Sequence, residues 1–336
     1  MRVRIAATGY YLPEQVYTSQ DVIERIRDHS PHKLPFLTAR LLEMATGIKE
    51  RRYLADDEDA SDLAVGAVRK MMAVHNIDLR SIDALIFASA SHDVSEPATA
   101  HIVQHKLGLS VPVFDVKNAC NSFLNGIQVG EAFVQSGQYR RVLVCNGESP
   151  SRFVRWQLES KAELREYMAG LTFGDAGAAV LLEPSHDETG IFYRKFESHS
   201  HLWDIGGVFA GGSRYTRDLD YAYFRGNSDR LREAFEVIGA SLLDCALQET
   251  GLTYADFQRV MVHQVTMSFL DLYLSRTGIP RDKVEITLPT HGNMAAASMG
   301  VAFAQAVERG AIQRGDHVLF TGLAGGVSLG VMMVQY

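Results

Sequence analysis

Asp115–Glu148, DVKNACNSFLNGIQVGEAFVQSGQYRRVLVCNGE, reads as a strand end, a helix of small residues, a glycine stop and a second strand. Thr287–Gly326, TLPTHGNMAAASMGVAFAQAVERGAIQRGDHVLFTGLAGG, runs through the same order. Both helical stretches carry an Ala-Phe pair, Ala132-Phe133 and Ala302-Phe303, and both stop at a glycine, Gly137 and Gly310. Each is followed by an apolar strand, Gly174–Leu182 or Gly326–Val334, and preceded by another, within Ser81–Asp93 or Asp256–Thr266. Repeated βαβ units are common; polar residues at matched strand–helix junctions give this repeat its weight. The Ala-, Gly- and Ser-rich helices lack a wet face and suit burial between two sheets. The expected fold is α/β, layered α/β/α/β/α, with two pseudo-repeated halves. One half spans residues 1–184, with a capping insertion beginning near residue 151, and the other spans 185–336. The stretch Ser151–Asn227 mixes charge, Trp and Gly, and reads as loops and short helices over a pocket.

The remaining composition narrows the class. The chain has 336 residues, 46% hydrophobic and 22% charged, enough for one large domain or two ordinary ones. A net charge of −7 argues against the basic face of a nucleic-acid binder. Apolar runs such as Ala84–Ala90 and Val142–Cys145 are strand-sized, so no integral membrane segment is expected. The first residues lack the pattern of a signal peptide. Three cysteines without CxxC spacing read as reduced cytoplasmic thiols rather than metal ligands. No cofactor or metal is expected.

Cys120 stands after a strand, where the helical pattern begins. A free cysteine is often a small buried hydrophobe, and Cys145 and Cys245 fit that description. A thiol at a helix start meets the positive end of the dipole, which favours thiolate, and amides that can hold an oxyanion. His263 ends a strand and Asn293 begins a helix, at the matching junctions of the other half. Either alone suits a cap. Together with Cys120 they offer a nucleophile, a proton carrier and an amide donor.

The motifs NAC (118–120), VHQ (262–264), HGNMAAAS (291–298) and GLAGGVSLG (322–330) resemble the active-site motifs of the type III ketoacyl synthases, a branch of the thiolase superfamily. The likeness extends to GYYLPEQVYTSQDV near the start, TGIKERRY (46–53) and FGDAGAAVLL (173–182). It implies a thiolase-like fold, an acylated Cys120, and His263 and Asn293 as the pair that activates the second substrate. It also implies an oxyanion hole from the amides of Cys120 and Gly325, with Ala324 where a further glycine is common. The substrates implied are acyl-CoA or acyl carrier protein thioesters, and the assembly a homodimer. Where fatty-acid-initiating members hold CoA with Trp and Arg before TGI, this chain has Leu41 and Ala45; after VHQ it has Thr266 and Ser268 for their Asn and Arg. Because these thioesters are anionic and the chain is acidic, a local basic cluster including Arg51, Arg52 or Arg214 is expected to receive them.

Glu96, in SEPATA before a helix, suits a carboxylate favouring the helix start. The segments EPATA and LEMATGIKERRY also resemble enzymes that condense two acyl-CoA molecules head to head in long-chain olefin biosynthesis. That likeness implies Glu96 as a base reaching across the dimer interface. Non-decarboxylative Claisen condensation needs an α-proton removed, which a desolvated carboxylate suits; decarboxylation of malonyl thioester needs no such base. The expected activity is therefore acyl transfer with Claisen condensation of two acyl-CoA molecules to a β-keto product. The alternatives are a decarboxylative type III synthase, acyl transfer to a heteroatom acceptor, and a non-catalytic partner subunit.

Overall fold

A computed structural model of the chain describes residues 1–30, 34–238 and 240–336. Among these residues, β1 (Val3–Tyr11), β2 (Ala84–Ala88), β3 (Val113–Val116), β4 (Val142–Glu148) and β5 (Ala176–Pro184) form one sheet in the order β1-β5-β4-β2-β3. A second sheet contains β6 (Gly190–Ser198), β7 (Arg259–Val262), β8 (His317–Ala324) and β9 (Ser328–Gln335), ordered β7-β8-β9-β6. In the first sheet β5 runs antiparallel to β1 and β4, while β2 runs parallel to β4 and β3. In the second, β9 runs antiparallel to β6 and β8, and β7 runs parallel to β8. The counterpart of β3 is reduced to a parallel bridge between Val260 and Val284. The internal repeat is thus present in four of the five strands of the first sheet.

The helices that position the site are α1 (Ala60–His75), α2 (Thr99–Leu107), α3 (Ser122–Gln135), α4 (Ser241–Thr250), α5 (Met267–Thr277) and α6 (Ala297–Glu308). Phe123 and Ile127 of α3 and Met299 and Phe303 of α6 pack between Val144 and Val180 of one sheet and Phe320 and Met332 of the other. Val68 of α1 and Val103 of α2 cover the first sheet's outer face at Leu85 and Leu143. Leu243 of α4 and Leu270 of α5 cover the second at Leu319 and Val331. The layered α/β/α/β/α fold read from the sequence is the one observed. Strands covered on both faces explain the unbroken apolar runs.

Small residues in the central helices follow from how closely the layers approach. A Cβ on Gly126 would lie 2.4 Å from Ala88 Cβ, and one on Gly300 would lie 2.6 Å from Ala178 Cβ and 2.7 Å from Phe123 Cε1. The stretch 151–227 is not made of loops and short helices alone, because the expected strand β5 and the whole of β6 lie inside it. Only its flanks cap the fold. β6 escapes a reading by pattern because it is an edge strand carrying Arg194, Lys195 and Glu197, as edges commonly do. Arg194 pairs at 3.2 Å with Glu131, a buried carboxylate on α3.

Gly300→Ala separates packing from propensity. Alanine is the better helix former by about 1 kcal/mol, yet the added methyl has no room. Denaturant unfolding is expected to show a net loss of about 1–3 kcal/mol; a gain in midpoint would mean the helix moves away at no cost.

Candidate active site

Cys120 lies just ahead of α3 rather than inside it, with Asn121 as the N-cap and Ser122 as the first helical residue. The turn is tight: Asn118 N–H donates to Ser122 Oγ at 2.8 Å, and Ser122 Oγ donates to the Ala119 carbonyl at 2.7 Å. Ala119 is held at φ +45°, a left-handed conformation that costs an alanine roughly 1–2 kcal/mol. The same conformation recurs at Ala295, also at φ +45°, just ahead of α6. Asn121 ties the Cys120 turn to the other half, its Nδ2 donating to the Ser328 carbonyl and to Ser328 Oγ, both at 3.0 Å. Gly322 makes room for that side chain, since a Cβ there would lie 2.1 Å from Asn121 Oδ1.

Electrostatics at the sulfur differ from the thiolate expected at a helix start. Cys120 keeps part of its surface open, but its surroundings push the thiol up to about 12, with burial the largest cause and the charge of Glu148 the next. Backbone hydrogen bonds from Gly325 and from Cys120 itself pull the other way. The dipole is therefore outweighed by desolvation, and the resting residue is a thiol. Those two amides are the pair expected to form an oxyanion hole. Cys145 is fully buried, its thiol raised by the same cause.

A continuous chain of contacts joins Cys120 to His263 and Asn293. Gly325, whose amide reaches Cys120, follows β8. Thr321 of β8 accepts a hydrogen bond from His263 N–H at 3.3 Å, just beyond β7. The Ala295 backbone lies beside the His263 ring and favours its protonated form, and Ala295 N–H donates to Asn293 Oδ1 at 3.1 Å. That bond holds the Asn293 carbonyl oxygen inward, while Nδ2 makes only a long 3.4 Å contact to Thr172 Oγ1. An amide donor thus remains available. Burial pushes His263 down to about 4, so its ring is neutral at physiological pH. Its Nδ1 is buried without a hydrogen-bond partner.

Several supporting residues escaped the sequence reading. Gln264 accepts from the amides of Thr287 and Leu288, each at 3.1 Å, and donates to the Glu285 carbonyl at 2.7 Å, which steers the chain toward Asn293. Glu148 is fully buried and raised by desolvation, and its carboxylate accepts from Ser89, Ala90 and Ser91. Asp175, raised by burial to about 7, accepts from Leu54 N–H at 2.9 Å and from Ser151. Arg51, expected on a docking surface, is fully buried. It packs behind the Asn293 loop, against the space left by Gly174 and Gly292, and donates to Ser19 Oγ at 3.1 Å and the Leu171 carbonyl at 3.2 Å. Thr266, in a departure from the family pattern, accepts from Phe269 N–H at 3.1 Å and caps α5.

Glu96 is exposed, and among the described residues it makes no hydrogen bond or ion pair. It does not cap the helix that follows. The first amides of α2 are taken by Asp115, which accepts from Thr99 at 2.9 Å and Ala100 at 2.8 Å. Within one chain, the carboxylate has no structural task. No group of three or more His, Cys, Asp or Glu side chains suited to a metal occurs among the described residues, and no helix there is long and apolar enough to cross a membrane.

The chain matches two family models, 3-Oxoacyl-[acyl-carrier-protein (ACP)] synthase III over residues 114–200 and the C-terminal part of the same enzyme over 247–336. A beta-ketoacyl-[acyl-carrier-protein] synthase III of Vesicomyosocius okutanii is 32% identical, covering 99% of this chain and 98% of its own. Its counterpart from Laribacter hongkongensis is also 32% identical, with 99% of both chains covered. Among solved structures, Xanthomonas campestris OleA with bound lauric acid and lauroyl-CoA has a TM-score of 0.88 at 26% identity, covering 100% of this chain and 99% of that one. The 3-oxoacyl-[acyl-carrier-protein] synthase III of Aquifex aeolicus has a TM-score of 0.84 at 26% identity, covering 99% and 100%.

Two titrations check the site. Alkylation of Cys120 by iodoacetamide is expected to keep rising well above about pH 8.5, where an ordinary thiol levels off, and Glu148→Gln is expected to shift the curve downward by removing a like charge. The His263 ring, followed by NMR, is expected to show no protonation step between about pH 5 and 8. Its folded value lies below its unfolded one. The stability it contributes is therefore complete above 6.5 and lost as pH falls through about 4.

Proposed function

Because the chain belongs to the 3-oxoacyl-[acyl-carrier-protein] synthase III family, and so to the acyl-transferring condensing enzymes of the thiolase superfamily, we propose that it joins two acyl-CoA molecules head to head without decarboxylation. Cys120 attacks the first thioester carbonyl. The amides of Cys120 and Gly325 hold the oxyanion, and the CoA thiol departs, taking up the proton that the Cys120 thiol gives up. The carbonyl oxygen of the second thioester then meets Asn293 Nδ2 and the neutral His263 ring, which stabilise an enolate more than the ground state. Glu96, reaching across a homodimer interface, removes the α-proton. The enolate carbon attacks the acyl-Cys120 carbonyl, the sulfur leaves, and a β-keto thioester is released.

The observation that carries this reading is the state of Glu96. An exposed carboxylate without a partner, beside a helix start already served by Asp115, is explained by a task in an assembled dimer. The lauroyl-CoA bound to the similar OleA adds support for the substrate class. A second reading, decarboxylative condensation with a malonyl thioester, is favoured by the names of the relatives at 32% identity. Under it Cys120, His263 and Asn293 keep their roles and Glu96 has none.

Two variants separate the readings. Cys120→Ser is expected to abolish the acyl adduct seen by intact mass after exposure to acyl-CoA, whereas Cys145→Ala and Cys245→Ala retain it. Glu96→Gln is expected to keep the adduct and lose product at least about 100-fold, the usual reach of general base catalysis. Normal condensation by Glu96→Gln, or product formed only with malonyl thioester, would hand the function to the decarboxylative reading.

A further inference from the structure

An acidic chain that binds an anionic thioester needs a cation free to meet it. Arg51 is buried, and Arg52 is turned onto the carbonyls of Pro13 and Glu14. Arg214 is free: among the described residues it forms no ion pair, and its guanidinium lies 5.3 Å from the centroid of the Trp203 ring and 5.7 Å from that of Tyr215. Trp203 is 50% exposed and makes an edge-to-face contact with Phe209 at 6.0 Å. Trp203 and Arg214 thus set a half-open aromatic face beside a cation without an ion-pair partner, the two elements of a site for a flat ring carrying phosphate.

The pair is fastened to the candidate site from both sides. Three residues after Trp203, Gly206–Gly207 pairs antiparallel with Arg225–Gly226. The Gly206 carbonyl lies 3.5 Å from where a Cβ on Gly325 would stand, so this ribbon abuts the turn whose amide reaches Cys120. Just before the opposite strand, Phe224 meets Phe173 at 5.0 Å, and Phe173 is bridged to Asn293. Trp203 and Arg214 therefore stand back from the thiol while remaining attached to its surroundings. A CoA thioester has the matching arrangement, since its pantetheine arm separates the reacting sulfur from a purine and phosphates.

We propose that Trp203 and Arg214 are the platform for the nucleotide end of CoA, the adenine stacking on the open indole face and a phosphate meeting the guanidinium. Stacking of bases on aromatic rings and phosphate recognition by arginine are sequence-independent and strong enough to fix one end of a ligand. The inference rests on the acyl-CoA reading above and assigns its donor to CoA rather than to a carrier protein, which lacks the nucleotide.

The test compares Cys120 acylation by lauroyl-CoA and by lauroyl-pantetheine, which has the same reacting end and no nucleotide. In wild type the first is expected to have the higher kcat/KM. The ratio of the two is expected to fall roughly tenfold in Trp203→Ala and in Arg214→Ala, the effect of losing one stacking or phosphate contact, and Trp203→Phe is expected to recover most of it. Adenosine 3′,5′-bisphosphate alone is expected to quench the Trp203 fluorescence. Equal loss on both substrates, an unchanged ratio, or absence of quenching overturns the platform. If wild type is acylated by neither substrate while the nucleotide still quenches, the acyl-CoA reading fails instead of the platform.

Discussion

The packing of α3 and α6 between the two sheets is the constraint on which the other features depend. Helices sandwiched in this way must meet the strands through small residues, and the space at Gly126 and Gly300 is set by Ala88, Val144, Ala178 and Phe123, which cannot retreat. The burial of both helices over most of their length leaves few solvated positions for polar groups. Polar chemistry is displaced to the helix starts, and the pseudo-repeat brings both starts to the same region. Cys120 enters from one half; Asn293, with His263 beside Ala295, enters from the other. The hydrogen bonds from Asn121 to Ser328 and from His263 to Thr321 fix the relation between them.

A site formed in this way is electrically quiet at rest. Burial raises the Cys120 thiol and lowers the His263 imidazole, so both are neutral near pH 7. No ion pair of the Cys–His kind is stored. Under the proposed reaction, the two amides at the sulfur meet a charge that exists only when a carbonyl is attacked, which is where preorganised dipoles are most effective. Buried Glu148 works in the same direction by disfavouring premature thiolate while anchoring the Ser89–Ser91 segment, a few residues before Glu96.

The layered fold and the residues Cys120, His263 and Asn293 were legible in the sequence, because repeated order and polar residues at matched junctions are local signals. What was not legible depends on distant neighbours. Arg51 reads as surface charge, yet Gly174 and Gly292 make room for it in the interior. Glu96 reads as a cap until Asp115, on another strand, is seen to occupy the amides. The helix-start argument expects a thiolate at Cys120, whereas burial holds the thiol up, since the dipole acts locally while desolvation sums over everything packed around the sulfur. β6 is hidden by its edge position, where charge replaces the apolar alternation.

The two left-handed alanines carry a consequence of another kind. Ala119 precedes the thiol, but Ala295 stands at the start of a helix that has no nucleophile. A strained turn retained on both sides is not explained by thiol chemistry alone. If the halves descend from one duplicated ancestor, the turn is the older trait and the cysteine the later specialisation. The two copies then parted ways on a shared inheritance, one carrying Cys120 and the other Asn293. In that history the bend of the backbone came before the side chains it now positions.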